Sequence, residues 1–343
     1  MRDEEITLPQ VVESFAGKKI AVIGDLMMDA YIWGTARRIS PEAPVPVVET
    51  EEESWCLGGA GNVMRNIVTL GGNASAYGVL GDDADSAIVR EMLAGYGIDH
   101  SMVLADSSRR TTRKQRVLAG GQQLLRIDYE DTKPLAEDFR LALQARLMDD
   151  IENRRVDAII FEDYAKGVLS HDLVQTLVNA ARANGIITAL DPKPGNLHAV
   201  KGITVMKPNR QEAFALAGRK FSPPDCPVTE DAALREVADI ISAEWQVEQL
   251  LISLAAQGMA LFREGEDPVV IPTHAREVFD VSGAGDTVIG AYTLALAAGA
   301  DPISAAVTAN YAAGVVVGKV GTVAVTKEEL LEALAEDFGK DEC

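Results

Sequence analysis

At 343 residues the chain has room for one large α/β domain or two smaller ones, and its 47% apolar composition can supply a sizeable core. A formal charge of −20 opposes approach to nucleic acid or an acidic membrane, while leaving open a small anionic ligand held by a local basic cluster. Cys56, Cys226 and Cys343 show no Cys-x-x-Cys spacing, which argues against a disulfide framework or a zinc site. The N-terminal stretch MRDEEITLPQVVESF is acidic and has no apolar run of the secretory kind, and no uninterrupted apolar segment is long enough to span a bilayer. The expectation is a soluble, cytoplasmic protein.

In chain order, Leu8, Val11, Val12 and Phe15 fall at helical spacing and predict a short amphipathic helix. KKIAVIGD reads as a buried strand ending at Gly24 and Asp25. AGNVMRNIVTLGG reads as a helix closed by glycines, NASAYGVLGDD as a strand and DADSAIVREMLAGYG as a helix with acids in its first turn. The alternation continues with strand VDAIIFED, helix HDLVQTLVNAARANG, strands IITALDP and GITVMKPN, and a helix from about Arg210. A proline-rich loop leads to helix EDAALREVADIISAEW, strand QLLISLA and the paired strands GMALFRE and DPVVIP. The end is helical: Gly283 to about Gly299, DPISAAVTANYAAGVVVG, and TKEELLEALAEDF with Thr326 and Glu329 at capping-box spacing.

Short apolar strands alternating with helices imply an α/β fold, a mostly parallel sheet covered by helices on both faces. Two segments, about 31–53 and 109–130, are β-rich and helix-poor, and Pro41, Pro44 and Pro46 suit an edge strand. They read as a small β appendage, a candidate lid on a single domain.

Ligands of open α/β sheets sit beyond the carboxyl ends of the strands. The polar strand ends Asp25, Asp163, Asp191 and Asn209 therefore point to a shared site, although each alone reads equally as a turn or a cap. DVSGAGDT (280–287) precedes a helix of small residues. Backbone N–H groups at such a helix start can surround an anion, and Asp286 beside that anion makes sense as a base for a phosphoryl acceptor. The competing reading is a glycine turn with an ordinary aspartate. There is no Gly-Lys-Ser/Thr loop, and both glycine clusters lack the third glycine of a dinucleotide fingerprint, with Val63 and Val288 in its place.

GGAGN offers Gly58, Gly59 and the bifunctional amide of Asn62 to a polyol, or is a helix start packed tightly on a strand. Asn209 and Glu212, three residues apart, suit the outer shell of a hydrated Mg2+ or cap their own helix, and the two roles are compatible. RRTTRKQR (109–116) carries five positive charges in eight residues, read either as a protected edge strand or as a site for an anionic group.

Together, GGAGN, KPNRQE and DVSGAGDT resemble the signatures of the ribokinase (PfkB-type) sugar kinase family over nearly the whole chain. Met64 departs from the small residue usual in the first signature, and removes no polar contact. The segments GDLMMDAYIWG, RRISPEAPVPVVE, KQRVLAGGQQLLRID, EDYAKGVLS and LDPKPGN resemble the family branch that phosphorylates heptose 7-phosphate for lipopolysaccharide core biosynthesis. Members of that branch often carry a nucleotidyltransferase unit with an H-x-G-H motif. The scattered histidines 100, 171, 198 and 274 do not form one, so the expectation is the stand-alone kinase form.

The resemblance implies a ribokinase-like fold with ATP and a small sugar phosphate as partners. It implies Asp286 as catalytic base and the N–H groups of Gly283, Ala284 and Gly285 as anion hole. Asp29, Gly58, Gly59, Asn62 and Asp163 would bind the sugar, with Lys114, Arg116 and Lys166 as candidates for its phosphate. Asp191, Lys193, Asn209, Glu212, Ser253, Gly258 and Asn310 would bind ATP, with Asn209 and Glu212 organising Mg2+ through water. The family pattern leaves a place for a monovalent cation such as K+, and makes the β lid a dimer contact. A kinase for another sugar and a non-catalytic sugar-binding relative are the alternatives; a nicotinamide-dependent oxidoreductase lacks its glycine fingerprint.

Overall fold

The computed structural model describes residues 7–274, 278–319 and 321–338, so Cys343 lies outside the described residues. The chain opens with helix α1 (Leu8–Glu13) and strand β1 (Lys19–Gly24), then a long hairpin, β2 (Leu26–Ile39) and β3 (Pro46–Gly59). Next come α2 (Ala60–Thr69), β4 (Asn73–Gly81), α3 (Ala84–Gly95), β5 (Asp99–Asp106) and a second hairpin, β6 (Thr112–Ala119) and β7 (Gln122–Tyr129). The middle of the chain forms α4 (Glu137–Glu152), β8 (Ala158–Glu162), α5 (His171–Ala183), β9 (Ile187–Asp191), β10 (Val205–Met206) and α6 (Arg210–Leu216). It continues through α7 (Ala232–Trp245), β11 (Gln249–Ser253), β12 (Met259–Arg263) and β13 (Val269–Ile271) to α8 (Ala284–Ala297), α9 (Pro302–Val317) and α10 (Lys327–Phe338).

Among the described residues the strands form two sheets. The larger has nine strands in the order β13-β12-β11-β10-β9-β8-β1-β4-β5, parallel throughout except where β12 and β13 turn back at one edge. Its pleat divides the core in two. Ile20 and Val22 of β1 face a cluster that includes α2, α8, α9 and α10, while Ala21 and Ile23 face one built on α4, α5, α6 and α7. That alternation is why β1 reads as an unbroken apolar run. Helices α8 and α9 are rich in alanine, and Ala291, Ala295, Ala305, Ala309 and Ala312 are fully buried. Small side chains let α8 lie close to both α2 and α9, beneath the site.

The smaller sheet has the order β3-β2-β6-β7, with β2 and β6 parallel and the two outer pairs antiparallel. Strand β2 starts at Leu26, earlier than the β-rich segment read from about residue 31, because its first six residues are buried against the main body. Pro46 opens edge strand β3, whereas Pro41 and Pro44 lie in the connection at 40–45.

Strand β5 and helix α4 have no counterpart in the sequence reading. Helix α4 has Ala136 at its N-cap and so no side-chain cap, and only Leu143, Leu147, Asp150 and Ile151 of its residues are buried, so its apolar stripe is thin. Strand β10 is two residues long, shorter than GITVMKPN suggests. No described helix is long and apolar enough to cross a membrane.

Candidate active site

The carboxyl ends of β1, β8, β9 and β10 lie side by side, and α8 packs across β8 and β9. Gly283 caps α8 in the left-handed region at φ 80°, and a Cβ there would stand 2.6 Å from Asn62 Nδ2. A Cβ at Gly285 would stand 2.8 Å from Lys207 Nζ. Glycine at these two positions lets the first turn of α8 settle onto the polar strand ends. The Ala284 N–H donates to the Val281 carbonyl at 3.2 Å.

Asp286 lies in that first turn and is 6% exposed. Its Oδ2 accepts from Asn62 Nδ2 at 2.8 Å, and its Oδ1 accepts from the Tyr164 hydroxyl at 2.9 Å. Burial raises the Asp286 pKa above the usual carboxylate value, and the two hydrogen bonds pull it partly back. Burial and the neighbouring carboxylates push the Tyr164 phenol well above its usual value, so it stays protonated and donates.

Asn62, expected at a polyol, has both amide ends engaged: the nitrogen on Asp286 and the oxygen accepting from Arg65 at 2.7 Å. Thr287 donates to Asn66 Oδ1 at 3.1 Å, a second tie between α2 and α8. Gly58 leaves room for Asp29, whose Oδ2 would stand 2.8 Å from a Cβ there, and Gly59 turns at φ 53° into α2.

The four polar strand ends divide. The Asp25 carboxylate accepts the backbone N–H groups of Tyr164, Lys166 and Val168, tying down the loop after β8. Asp163 Oδ1 accepts from Ala165 N–H and Asn196 Nδ2, each within 2.9 Å, and its Oδ2 from Lys193 N–H at 3.4 Å, so its oxygens are engaged within the surrounding loops. Burial pushes its pKa up to about 6. Asp191 alone enters the polar cluster, 2.6 Å from Lys207 Nζ. Asn209 caps α6: its Oδ1 accepts from Glu212 N–H and its own N–H donates to Glu212 Oε2, at 2.9 and 3.0 Å. Glu212 Oε1 is 3.7 Å from Lys193 Nζ. What this pair offers a hydrated Mg2+ is therefore the outer face of Glu212, which fits contact through water.

Three residues of the cluster escaped the sequence reading. Tyr164 lies inside EDYAKG, between the charged Asp163 and Lys166, and Lys207 stands two residues before Asn209. Glu162 ends β8, and with Asp191 and Asp286 it offers carboxylate oxygens that all lie within 4.8 Å of one another. Burial raises the pKa of Glu162 well above the usual range. Burial also disfavours the Lys207 charge, but the carboxylates of Asp191, Glu162 and Asp286 outweigh it and raise that pKa.

From the small sheet, Arg116 pairs with Asp29 at 2.6 Å, and Lys166 with Glu130 at 2.8 Å. Arg109, Arg110 and Arg113 pair with Asp106, Asp131 and Asp85. Lys114 forms no ion pair among the described residues. Its ammonium lies 4.9 Å from the centre of the Tyr164 ring, next to the hydroxyl that holds Asp286. Burial lowers its pKa, and the nearby charges of Lys166 and Arg116 lower it further against the pull of Asp29 and Asp128.

On the far side, Ser253 ends β11 and bridges to Asn209. Gly258 stands where a Cβ would be 2.1 Å from the Ile271 carbonyl, and Asn310 Nδ2 donates to the Pro272 carbonyl at 2.6 Å. Next to them is a cleft of about 520 Å³ lined by His274, Tyr311, Val315 and Gly318, with the His274 and Tyr311 rings stacked 3.9 Å apart. A larger cavity of about 730 Å³, lined by Arg182, Arg235, Asp239, Glu248 and Arg263, lies beside the amino end of β11 and the carboxyl end of β12.

Residues 17–329 match the model of the pfkB family carbohydrate kinases. The chain belongs to that family. It is 42% identical to "Bifunctional protein HldE" of Geobacter sulfurreducens over 93% of this chain and 63% of the relative. To the protein of the same name from Desulfatibacillum aliphaticivorans it is 40% identical, over 95% of this chain and 65% of that one. The chain thus spans just under two thirds of the length of these relatives. The fold is that of phosphofructokinase-2 from Escherichia coli, solved with potassium (TM-score 0.73, 22% identity, 93% of this chain and 99% of that one). It is likewise that of Arabidopsis thaliana ribokinase, solved with ribose and ATP (TM-score 0.67, 20% identity, 93% of this chain and 99% of that one).

Proposed function

We propose that this carbohydrate kinase transfers the γ-phosphate of ATP to the anomeric hydroxyl of D-glycero-β-D-manno-heptose 7-phosphate. The observation that carries the reading is the position of Lys114. An ammonium with no ion pair among the described residues, crowded by Lys166 and Arg116, stands over the ring of the tyrosine that holds Asp286. Three cations converging beside a buried carboxylate suit a substrate that carries its own phosphate and presents a hydroxyl to be deprotonated. Arg116 and Lys166 have carboxylate partners of their own, but a neutral sugar gives no reason for the unpaired ammonium of Lys114. The resemblance to heptose-7-phosphate kinases, many of which carry a second unit, agrees with the name and greater length of the bifunctional relatives.

In this reading Asp286 accepts the proton of the anomeric hydroxyl as that oxygen attacks the γ-phosphorus, and the bond from the phosphorus to the leaving ADP oxygen breaks. Asn62 and Tyr164 hold the two oxygens of Asp286, so its orientation is fixed before substrate arrives. The N–H groups of Gly283, Ala284 and Gly285 face the transferring group; that of Ala284 would exchange its Val281 carbonyl for a phosphate oxygen. Asp29, Gly58 and Gly59 border the sugar, with Asn62 and Asp163 positioning neighbours and not gripping hydroxyls themselves. Lys114, Arg116 and Lys166 take the 7-phosphate; Arg116 and Lys166 must loosen from Asp29 and Glu130 to do so.

ATP would lie along Asp191, Lys193, Ser253 and Gly258, with its base in the cleft beside Asn310. Glu212, supported by Asn209, would hold a hydrated Mg2+, which would supply charge neutralisation at the phosphates. K+ is the candidate monovalent cation. The four-stranded sheet would act as lid and homodimer contact, a role that fits the exposed apolar side chains of Ile39, Trp55 and Leu125 on it. ATP consumption across a panel of sugars and sugar phosphates tests the substrate. The expected result is highest kcat/KM for the heptose 7-phosphate, and comparable turnover of an unphosphorylated sugar would sink the assignment.

A further inference from the structure

The pleat of the large sheet gathers one row of side chains of which the phosphotransfer scheme uses only Asp191, leaving Glu162 and Lys207 without a role. Glu162 and Asp191 are directly opposed in the parallel β8–β9 ladder. Ala158 and Ile160 of β8, and Ala189 of β9, face the α8 side of the sheet. By the two-residue period Glu162 and Asp191 face that side too. Val205 of β10 faces the same way, and Lys207 follows in phase, with its Nζ 2.6 Å from Asp191. Asp286 descends onto this row from α8.

Like charges directly opposed across a ladder destabilise it. Here three carboxylates share one ammonium, a formal charge of −2 when all three are ionised, in a largely enclosed space. Glu162 is 0% exposed, and neither of its carboxylate oxygens has a hydrogen-bond partner. Such orphaned acceptors cost about 1–3 kcal/mol, and more when charged. The ligand oxygens of Glu162, Asp191 and Asp286 all lie within 4.8 Å of one another, which puts a common centre within about 2.8 Å of each. Oxygen ligands at about 2.0–2.6 Å are what Mg2+ and Ca2+ require, and a divalent ion matches the charge.

We propose that Glu162, Asp191 and Asp286 form a divalent-cation site that the protein fills without nucleotide, separate from the Mg2+ carried by ATP. Glu162 is the residue that makes it: Asp191 already has Lys207, and Asp286 already has Asn62 and Tyr164. The site shares Asp286 with the proposed base, but its test needs neither ATP nor sugar, so the two readings fail separately.

The experiment is a titration of the metal-free chain with Mn2+, without nucleotide, reading free Mn2+ by electron paramagnetic resonance. One saturable site per chain is expected. Glu162→Gln should weaken it at least tenfold, and Asp191→Asn likewise, whereas Glu51→Gln with Glu52→Gln on the exposed face of β3 should leave it unchanged. Glu162→Gln should also melt higher than the metal-free wild type, since the repulsion is gone, and lose the rise in Tm that Mn2+ gives the wild type. Absence of saturable binding by the wild type overturns the proposal whatever the variants do. Undiminished binding in Glu162→Gln overturns it equally.

Discussion

At the carboxyl edge of the nine-stranded sheet, Asp286 and Lys207 are buried, Asp191 is only partly exposed, and each is held by a named neighbour. On the four-stranded sheet the charges of β3 stand in water, and a pair such as Arg38 with Glu49 is 3.9 Å apart with both side chains more than half exposed. Exposed pairs of that kind contribute little to stability. The small sheet is buried at its root, at Met27, Met28 and Leu57, and emerges into solvent toward Ile39, which is 63% exposed. In the proposed function, chemistry that needs fixed geometry falls to the large sheet, while the small one supplies the cations for the substrate phosphate. Lys114 stands at the junction of the two.

The largest expected effect comes from the rigid side. Asp286→Asn should lower kcat by about 10²–10⁴-fold with ATP binding largely spared, as initial rates and nucleotide titration would show. A merely severalfold loss would remove Asp286 as base. The same substitution should stabilise the fold. A carboxyl whose folded pKa is raised holds its proton more tightly when folded, so stability falls as pH rises from the unfolded to the folded value. Asn removes that fall, and thermal melts across pH would register a Tm gain that grows with pH.

On the adaptable side, Lys114→Ala with Arg116→Ala should raise the KM for the sugar phosphate at least about tenfold, from the loss of charge-assisted contacts of about 1.5–3 kcal/mol each. An unchanged KM would dissociate the small sheet from the substrate. Trp55, 49% exposed on β3, tests the outer face of the same sheet. Trp55→Asp should weaken self-association at least tenfold by sedimentation velocity if that face joins two copies, and unaltered association would place the contact elsewhere.

The smallest effect is a shift along the pH axis. Because Asp286 must be ionised to accept a proton, kcat should fall as pH drops through a value above the ordinary Asp pKa of about 3.9. The Asn62 hydrogen bond lowers that pKa, so Asn62→Ala should move the acid limb of the kcat profile upward. A downward shift would mean that Asn62 does not support the ionised form.

Much of this was legible in the residues. The alternation of apolar runs with helical spacing gave the layered fold, since a parallel sheet buried on both faces leaves that mark in any sequence. The glycines of DVSGAGDT marked a helix start at which a backbone can approach a ligand, and the helix does begin at Ala284 with Gly283 as its cap. Helix α4 was not legible because it has neither a side-chain cap nor a broad apolar face. The partners of Asp286 were beyond reach as well: Asn62 and Tyr164 lie 224 and 122 residues away in the chain.

By itself the sequence determined the strand and helix rhythm, the two β-rich excursions and the identity of the signature residues, because periodicity and turn chemistry act over a few neighbours. Only the tertiary structure decided which polar groups consume one another. It paired Arg116 with Asp29, spent Asp25 and Asp163 on loops, turned Asn62 toward Asp286 and left Glu162 unpaired beside Asp191. Those outcomes depend on strand order and register, which bring distant residues within hydrogen-bonding distance and which no local pattern encodes.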